Sequence, residues 1–397
     1  MSNVVILSDG GALGSGYKTL MLPLAQGLAE HGHDVKVIGL GYSGEEHHFD
    51  FSLIPAGGMQ EAVVTLYNLV YTWKVEVLIV ALDIPIQTQL LFDILSKWKD
   101  GLPFKYVGIF PVEAGPMNFT WATQLMNMNR QLVISQFGAN ECQKVGINAE
   151  HIQIGIDSDA WRIPTKEEKQ MHRDSFGFDD DTFVVLTVAD NQERKNLSKG
   201  MEIFANFLYD YEFPYDPHGP TNLDIIREKG LKPVRNAKYI IITREHLRVG
   251  WKLRDYAQVL GINPSLLIFE RGLPFKKLWV MYAVSDCFLL ASKAEGLGLP
   301  LLEAMAVGVP CLATNCTAVA ELLADERGSL IEYEYTHIDP FGNANRYWAN
   351  REDGAKKLSL ICDNRPDTTK AREYVETRTW DIAIEQLNTV LEELGDE

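Results

Sequence analysis

Short apolar, β-branched runs alternate with helical patterns along nearly the whole chain. "NVVILSD" (3–9) precedes a helical pattern at about 17–31. "DVKVIGLG" (34–41), "VEVLIVAL" (75–82), "KYVGIFPV" (105–112) and "RQLVISQF" (130–137) follow. This is the βαβ rhythm of a parallel sheet with helices on both faces. It pauses over the polar stretch "GIDSDAWRIPTKEEKQMHRDSFGFDDD" (155–181). It resumes with "FVVLTVAD" (183–190), "AKYIIIT" (237–243), "SLLIFE" (265–270), "DCFLLAS" (286–292) and "PCLAT" (310–314). Two doubly wound domains joined near 157–182 fit this pattern better than one very large sheet, and 397 residues leave room for both. The expected division is 1–160 and 161–379. Residues 380–397, "WDIAIEQLNTVLEELGDE", carry apolar residues at helical spacing and read as a closing helix. Residues 209–236, with four prolines, read as a long loop holding one helical turn or two.

Charge narrows the partners. A net charge of −17 repels nucleic acid and anionic membrane, although a basic pocket can exist on an acidic surface. No apolar run is long enough for a membrane span. "MSNVVILSDGG" reads as a strand and turn, without the basic start and cleavage site of a signal peptide. Cysteines 142, 287, 311, 316 and 362 form no Cys-x-x-Cys pair and mostly sit in apolar runs, which points to buried free thiols and a cytoplasmic location.

Two loops carry the chemistry. "DGGALGSGYKTL" (9–20) follows the first strand and opens a helix. Its Gly10, Gly14 and Gly16 suit close backbone approach to a phosphate or sugar at a helix N-terminus, with Ser15 beside them. The spacing matches a short-chain dehydrogenase loop. However, the second strand ends "VIGLG" with no acid for a ribose hydroxyl, and none of the fifteen tyrosines begins a Tyr-x-x-x-Lys. A tight turn with no ligand is the bland alternative. The second loop, "NQERKNLSKGMEIFANF" (191–207), places Arg194 and Lys195 between a strand and a helix start, where a planar fork and a point charge suit a diphosphate.

"SKAEGLGLPLLEAMAVGVP" (292–310) sets Glu295 and Glu303 eight positions apart among apolar and small residues. Pro300 suits a first helical turn and Gly308 a helix end. Between them only Glu303 is polar, so the helix reads as buried, and a buried carboxylate needs a partner.

These residues resemble a known family. "AEGLGLPLLEAMAVGVPCLAT" is similar to the Glu-x-x-x-x-x-x-x-Glu signature of retaining family 4 glycosyltransferases of the GT-B fold. "DGGALGSGYKTLMLPLAQGLAEHGHDVKVIGLG", "IQIGIDSDAWRIP", "LWVMYAVSDCFLLAS" and "TWDIAIEQLNTVLEEL" resemble further parts of that family in the same order. The resemblance implies two Rossmann-like domains facing across a cleft, the last helix crossing back to the N-terminal domain. It implies that Glu303 accepts from the ribose hydroxyls of a nucleoside diphosphate sugar and that Glu295 contacts hydroxyls of the donor sugar. N–H groups of Gly296, Leu297, Gly298 and Leu299 would help hold sugar and phosphates, and Arg194 and Lys195 would neutralise the departing diphosphate. Arg271 and Gly272 match where the family's backbone lies near the base. Gly14, Ser15 and Gly16 complete the donor side.

The chain departs from the family at two places. Many relatives carry an arginine where this chain has Ala189 and Asp190. "GIFPVEAGPMNFTW" (108–121) matches a subgroup with Pro-Val-Asp, and Glu113 stands here at the acidic position, where it would support positive charge or contact a donor hydroxyl. Asp157-Ser158-Asp159 and Asp179-Asp180-Asp181 fall in the hinge and read as solvated linker, and His47-His48 lacks zinc-site company, so neither metal nor cofactor is expected. The expected activity is transfer of a sugar from a nucleoside diphosphate sugar to a sugar, glycan or other small or polymeric acceptor. "GYSGEEHHFDF" (41–51) and "GPMNFTWATQLM" (115–126) are candidates to line the acceptor site. A sugar-nucleotide 2-epimerase or a non-catalytic binder of the same fold would use the same donor pocket.

Overall fold

The computed structural model describes residues 1–11, 15–98, 100–214, 216 and 218–396. The chain divides into two units. One comprises Met1–Asp157, Asp339–Ala344 and Arg378–Glu397; the other comprises Ser158–Ile338 and Asn345–Thr377.

The first unit is built on strands β1 (Asn3–Asp9), β2 (Asp34–Leu40), β3 (Ser52–Ala56), β4 (Val77–Ala81), β5 (Lys105–Phe110), β6 (Arg130–Val133) and β7 (Glu150–His151). Their order across the sheet is β3-β2-β1-β4-β5-β6-β7, all parallel. Val4–Leu7 and Val77–Ala81 are buried residue after residue, as strands covered on both faces must be. Strand order reverses between β1 and β4, and ligands of such sheets sit beyond the carboxyl ends of the strands at that reversal. The helix Trp380–Asp396 buries Ala383, Ile384, Leu387, Val390, Leu391 and Leu394, one stripe at helical period. It packs on the helix Gly16–Glu30, where Ile384 lies so close to Gly27 that a Cβ there would meet it at 2.3 Å.

The second unit holds β8 (Phe183–Val188), β9 (Ala237–Thr243), β10 (Leu266–Glu270), β11 (Cys287–Leu290), β12 (Cys311–Thr314) and β13 (Ser329–Ile331), in the parallel order β10-β9-β8-β11-β12-β13. Its reversal lies between β8 and β11. The core gathers around the helix Leu197–Tyr209, of which every residue but Glu202 is buried. Two further strands, β14 (Tyr333–Asp339) and β15 (Ala344–Ala349), form a two-stranded ribbon of their own.

The stretch 155–181 is more than a polar linker. Lys166–Phe176 is a helix, started by a capping box between Thr165 and Glu168 and stopped by Gly177 at φ 68°. Its Arg173 is buried and donates to Val284 O and Asp286 Oδ2, each at 3.0 Å, which docks the helix on the second unit. The long 209–236 loop contains one short helix, Asn222–Lys229. All five cysteines are free thiols, four of them buried. Among the described residues no helix is long and apolar enough to cross a membrane.

Candidate functional site

The sharpest cluster lies at the β8/β11 reversal of the second unit. After β8 the chain makes a single 3₁₀ turn, Glu193–Lys195, which Asn196 ends at φ 52° to start the helix Leu197–Tyr209. After β11 the chain runs through Lys293, Ala294 and Glu295 to Gly298 at φ 96°, a conformation that suits glycine, and then into the helix Leu299–Val307. Pro300 lies in its first turn and Gly308, at φ 77°, ends it, as the sequence pattern predicts.

These two loops meet through opposite charges. Lys195 Nζ donates to both oxygens of Glu295, at 2.7 and 2.8 Å. Arg194 Nη1 donates to Glu295 Oε2 at 3.1 Å and to Ala294 O at 2.6 Å. Glu295 is 4% exposed. Burial opposes its ionisation, but Lys195 and Arg194 outweigh that and hold the carboxyl at about 2. Thr317 locks the main chain from the other side, accepting from Glu295 N at 2.9 Å and donating to Glu295 O at 2.8 Å. The trio carries one net positive charge. Beyond it, among the described residues, the N–H groups of Gly296, Leu297, Gly298 and Leu299 donate to no protein acceptor, although Gly296–Gly298 are buried. Buried orphan donors at a helix N-terminus are suited to an anion or to sugar hydroxyls.

Glu303, expected on a buried helix, is only half-buried, whereas Glu295 is buried. In the helix Leu299–Val307, residues 301, 302 and 304–307 are buried while Leu299, Pro300 and Glu303 are half-buried. Those three share one face at spacings of three and four, so the carboxylate borders an opening. Its Oε2 accepts from the buried Tyr282 hydroxyl at 2.6 Å. Burial raises the Glu303 carboxyl to about 7, against the Tyr282 hydrogen bond and the positive charge of Arg271. The carboxyl therefore titrates near neutrality, and a ligand that donates to it favours the ionised form.

Asp190, which stands where the family resemblance expects a cation, gathers cations instead. Arg244, just past β9, donates to it through Nε at 2.9 Å and Nη2 at 2.6 Å, and Arg271, just past β10, donates through Nη1. These two guanidiniums hold the Asp190 carboxyl below its usual range despite burial. Arg271 is followed by Gly272 at φ 87°. The segment 244–251 is pinned by the buried Asn191, whose amide donates to Glu245 O and Trp251 O and accepts from Trp251 N. Two neighbouring strand ends thus present basic side chains to the acid at a third.

In the first unit, Gly10 is explained by packing, since a Cβ there would lie 2.9 Å from Gly39 Cα. Ser15 caps the helix Gly16–Glu30 by accepting from Lys18 N. Gly14 falls outside the described residues. At the β1/β4 reversal Tyr17 OH donates to Asp83 Oδ1. Glu113 follows β5, half-buried between the buried Val112 and Ala114. The structure thus brings Arg194, Lys195, Arg271, Gly272, Glu295–Leu299 and Glu303 into the second unit, and Ser15, Gly16 and Glu113 into the first. Tyr282, Thr317, Asp190, Asn191 and Arg244 went unassigned by sequence, because each acts across 20 or more residues with no motif between.

Residues 250–357 match the family described as Glycosyl transferases group 1. The fold matches a sucrose-phosphate synthase from Thermosynechococcus elongatus at TM-score 0.74 and 13% identity, covering 100% of both chains. It matches Anabaena HepE, solved with UDP and glucose, at TM-score 0.72 and 14% identity over 99% of this chain and 100% of that one. The chain thus contains a stretch similar to a group 1 glycosyltransferase domain, on a GT-B fold. This domain contains Arg271, Glu295 and Glu303, while Arg194 and Lys195 reach its glutamate from outside the matched residues. Among curated relatives, N-acetyl-alpha-D-glucosaminyl L-malate synthase of Bacillus anthracis is 49% identical over 72 residues, 17% of this chain and 19% of that protein. A GDP-mannose-dependent alpha-(1-6)-phosphatidylinositol monomannoside mannosyltransferase of Mycolicibacterium smegmatis is 24% identical over 244 residues, 54% of this chain and 56% of that one. The matched stretches thus span little more than half of these relatives at most.

Proposed function

We propose that the protein is a retaining glycosyltransferase that takes its sugar from a nucleoside diphosphate sugar, without a metal ion. The observation that carries this reading is the Arg194–Lys195–Glu295 cluster beside four orphan N–H groups at a strand-order reversal. A diphosphate placed there meets two preorganised cations and a helix N-terminus, and its charge grows as the glycosidic bond to the donor sugar breaks. Groups already held in place stabilise that charge without reorganising. This is the work a divalent cation does elsewhere, which supports the metal-free reading. Glu303 takes the ribose hydroxyls, Arg271 and Gly272 flank the base, and Glu295 touches the donor sugar at the edge of its ion pairs. The resemblance also assigns parts in the reaction to Glu113, Gly14, Ser15 and Gly16. Retention of configuration rests on the resemblance of the double-glutamate signature. The names of the relatives, a GDP-mannose-dependent enzyme and a protein solved with UDP-glucose, favour a diphosphate donor. The acceptor is a sugar, glycan or other small or polymeric molecule.

A thermal-shift panel of uridine, guanosine and adenosine diphosphate sugars tests the donor class. One base series is expected to raise the melting temperature, and turnover with acceptors is then expected to release the free diphosphate. No shift with any of the three would refute the reading.

A further inference from the structure

One charged group near the cluster has no part in that chemistry. The Lys293 side chain is 2% exposed, deeper than the basic residues that face Glu295. A buried ammonium is costly unless paired, and a methionine would fill the same volume without that cost. Its partner is Glu193, whose own side chain is 59% exposed and could be satisfied by water. The pair is therefore not needed to solvate Glu193. What the pair decides is where the Glu193 carboxylate points.

Glu193 opens the same 3₁₀ turn that carries Arg194 and Lys195. A free carboxylate on that turn is the nearest competitor for both cations, and it would repel a diphosphate. Lys293 is held firmly enough to prevent this. Its ammonium lies 3.5 Å from the centre of the Trp348 ring, a cation–π contact on strand β15. The indole Nε1 of Trp348 donates to His337 Nδ1 on β14 at 2.7 Å, which orients the ring. Main-chain bonds complete the seat: Lys293 N donates to Arg194 O at 2.8 Å, and Tyr347 N donates to Lys293 O at 2.9 Å. The ribbon β14–β15 thus braces the loop after β11 against the loop after β8.

We propose that Lys293, seated on Trp348, is a positioning residue that keeps Glu193 off Arg194 and Lys195, so that both cations stay directed at Glu295 and at a bound diphosphate. The diphosphate part rests on the function proposed above; the geometry of Glu193 does not.

The test titrates UDP, GDP and ADP into the wild type, Lys293→Met and the double variant Lys293→Met/Glu193→Gln by calorimetry. Lys293→Met is expected to weaken the diphosphate that the wild type binds by about tenfold. The double variant is expected to recover to within about threefold of wild type, because the competing charge is gone. The melting temperature of Lys293→Met is expected to stay close to that of the wild type, since the Glu193 side chain left without its partner is 59% exposed and water can satisfy it. Unchanged affinity in Lys293→Met, or a double variant as weak as the single one, overturns the proposal. A crystal structure of Lys293→Met supplies an arm independent of ligand, with the Glu193 carboxylate expected on Arg194 or Lys195. If Glu193 instead contacts neither cation the proposal fails, whereas a wild type that binds none of the three diphosphates defeats the functional reading alone.

Discussion

Glu303→Gln separates stability from binding at a single atom. The wild-type carboxyl titrates at about 7, against an ordinary value of 4.5. Because the folded value lies above the unfolded one, the stability it contributes is whole below about pH 4.5. That stability is lost as pH rises through 7 and stays level above. The full difference corresponds to about 3 kcal/mol at 1.36 kcal/mol per pH unit, and the partial exposure of Glu303 reduces it to about 2 kcal/mol. Glutamine keeps an oxygen for the Tyr282 hydroxyl and never ionises. In a unit of this size about 2 kcal/mol is worth about 4–8 °C, so the variant is expected to melt that much higher at pH 8 and at the wild-type temperature near pH 4.5. Affinity moves the other way. A carboxylate accepting two ribose hydroxyls gives way to an amide that accepts from only one side, a loss of about 10²-fold for the diphosphate. Differential scanning fluorimetry from pH 4.5 to 8 and a nucleotide titration at pH 8 read both. A melting difference that does not grow with pH refutes the raised carboxyl, and unchanged nucleotide affinity removes the ribose contact. In the wild type, affinity itself is expected to rise with pH up to about 7 and then level off, because binding draws on the ionised form.

Other substitutions probe the remaining parts. Lys195→Ala is expected to lower turnover by about 10²–10³ while leaving the donor KM within a few-fold, in initial-rate measurements, because its charge matters most as the diphosphate departs. Asp190→Asn removes the acid that Arg244 and Arg271 share, and is expected to cost about 2 kcal/mol in urea unfolding and to weaken nucleotide binding together. Gly155→Ala would set a Cβ 2.5 Å from Trp380 N, backbone that cannot turn aside. A destabilisation of about 1–3 kcal/mol is expected in the same assay, with the nucleotide affinity of the second unit unchanged.

How much of this was legible in the sequence follows from the range over which each signal acts. Strand runs such as Val4–Leu7 and Val77–Ala81 declare themselves because burial on both faces demands apolar residues in succession, and the two sheets follow from their repetition. Pro300 and Gly308 bracket their helix because each suits one backbone position within a turn. Thr165 and Glu168 also spell a capping box for the helix Lys166–Phe176, but the charge of the surrounding stretch matches a solvated linker equally well. Burial of the two glutamates was not readable. When seven neighbours are all apolar or small, composition says that a helix is enclosed and nothing selects the face that opens, so Glu303 reads as enclosed with its helix. Partners outside the motif set the order: Arg194 and Lys195, 101 and 100 residues away, draw Glu295 inward, and Tyr282, 21 residues away, gives Glu303 one hydrogen bond and no charge. The same logic explains Asp190. Read alone it is an acid where a cation was expected. Read with Arg244 and Arg271, it is the acid that lets two cations from neighbouring strand ends stand side by side. Local pattern thus fixes which backbone reaches the strand ends. Long-range charge pairing decides which side chains are free to act there, and a ligand diphosphate would enter that same competition.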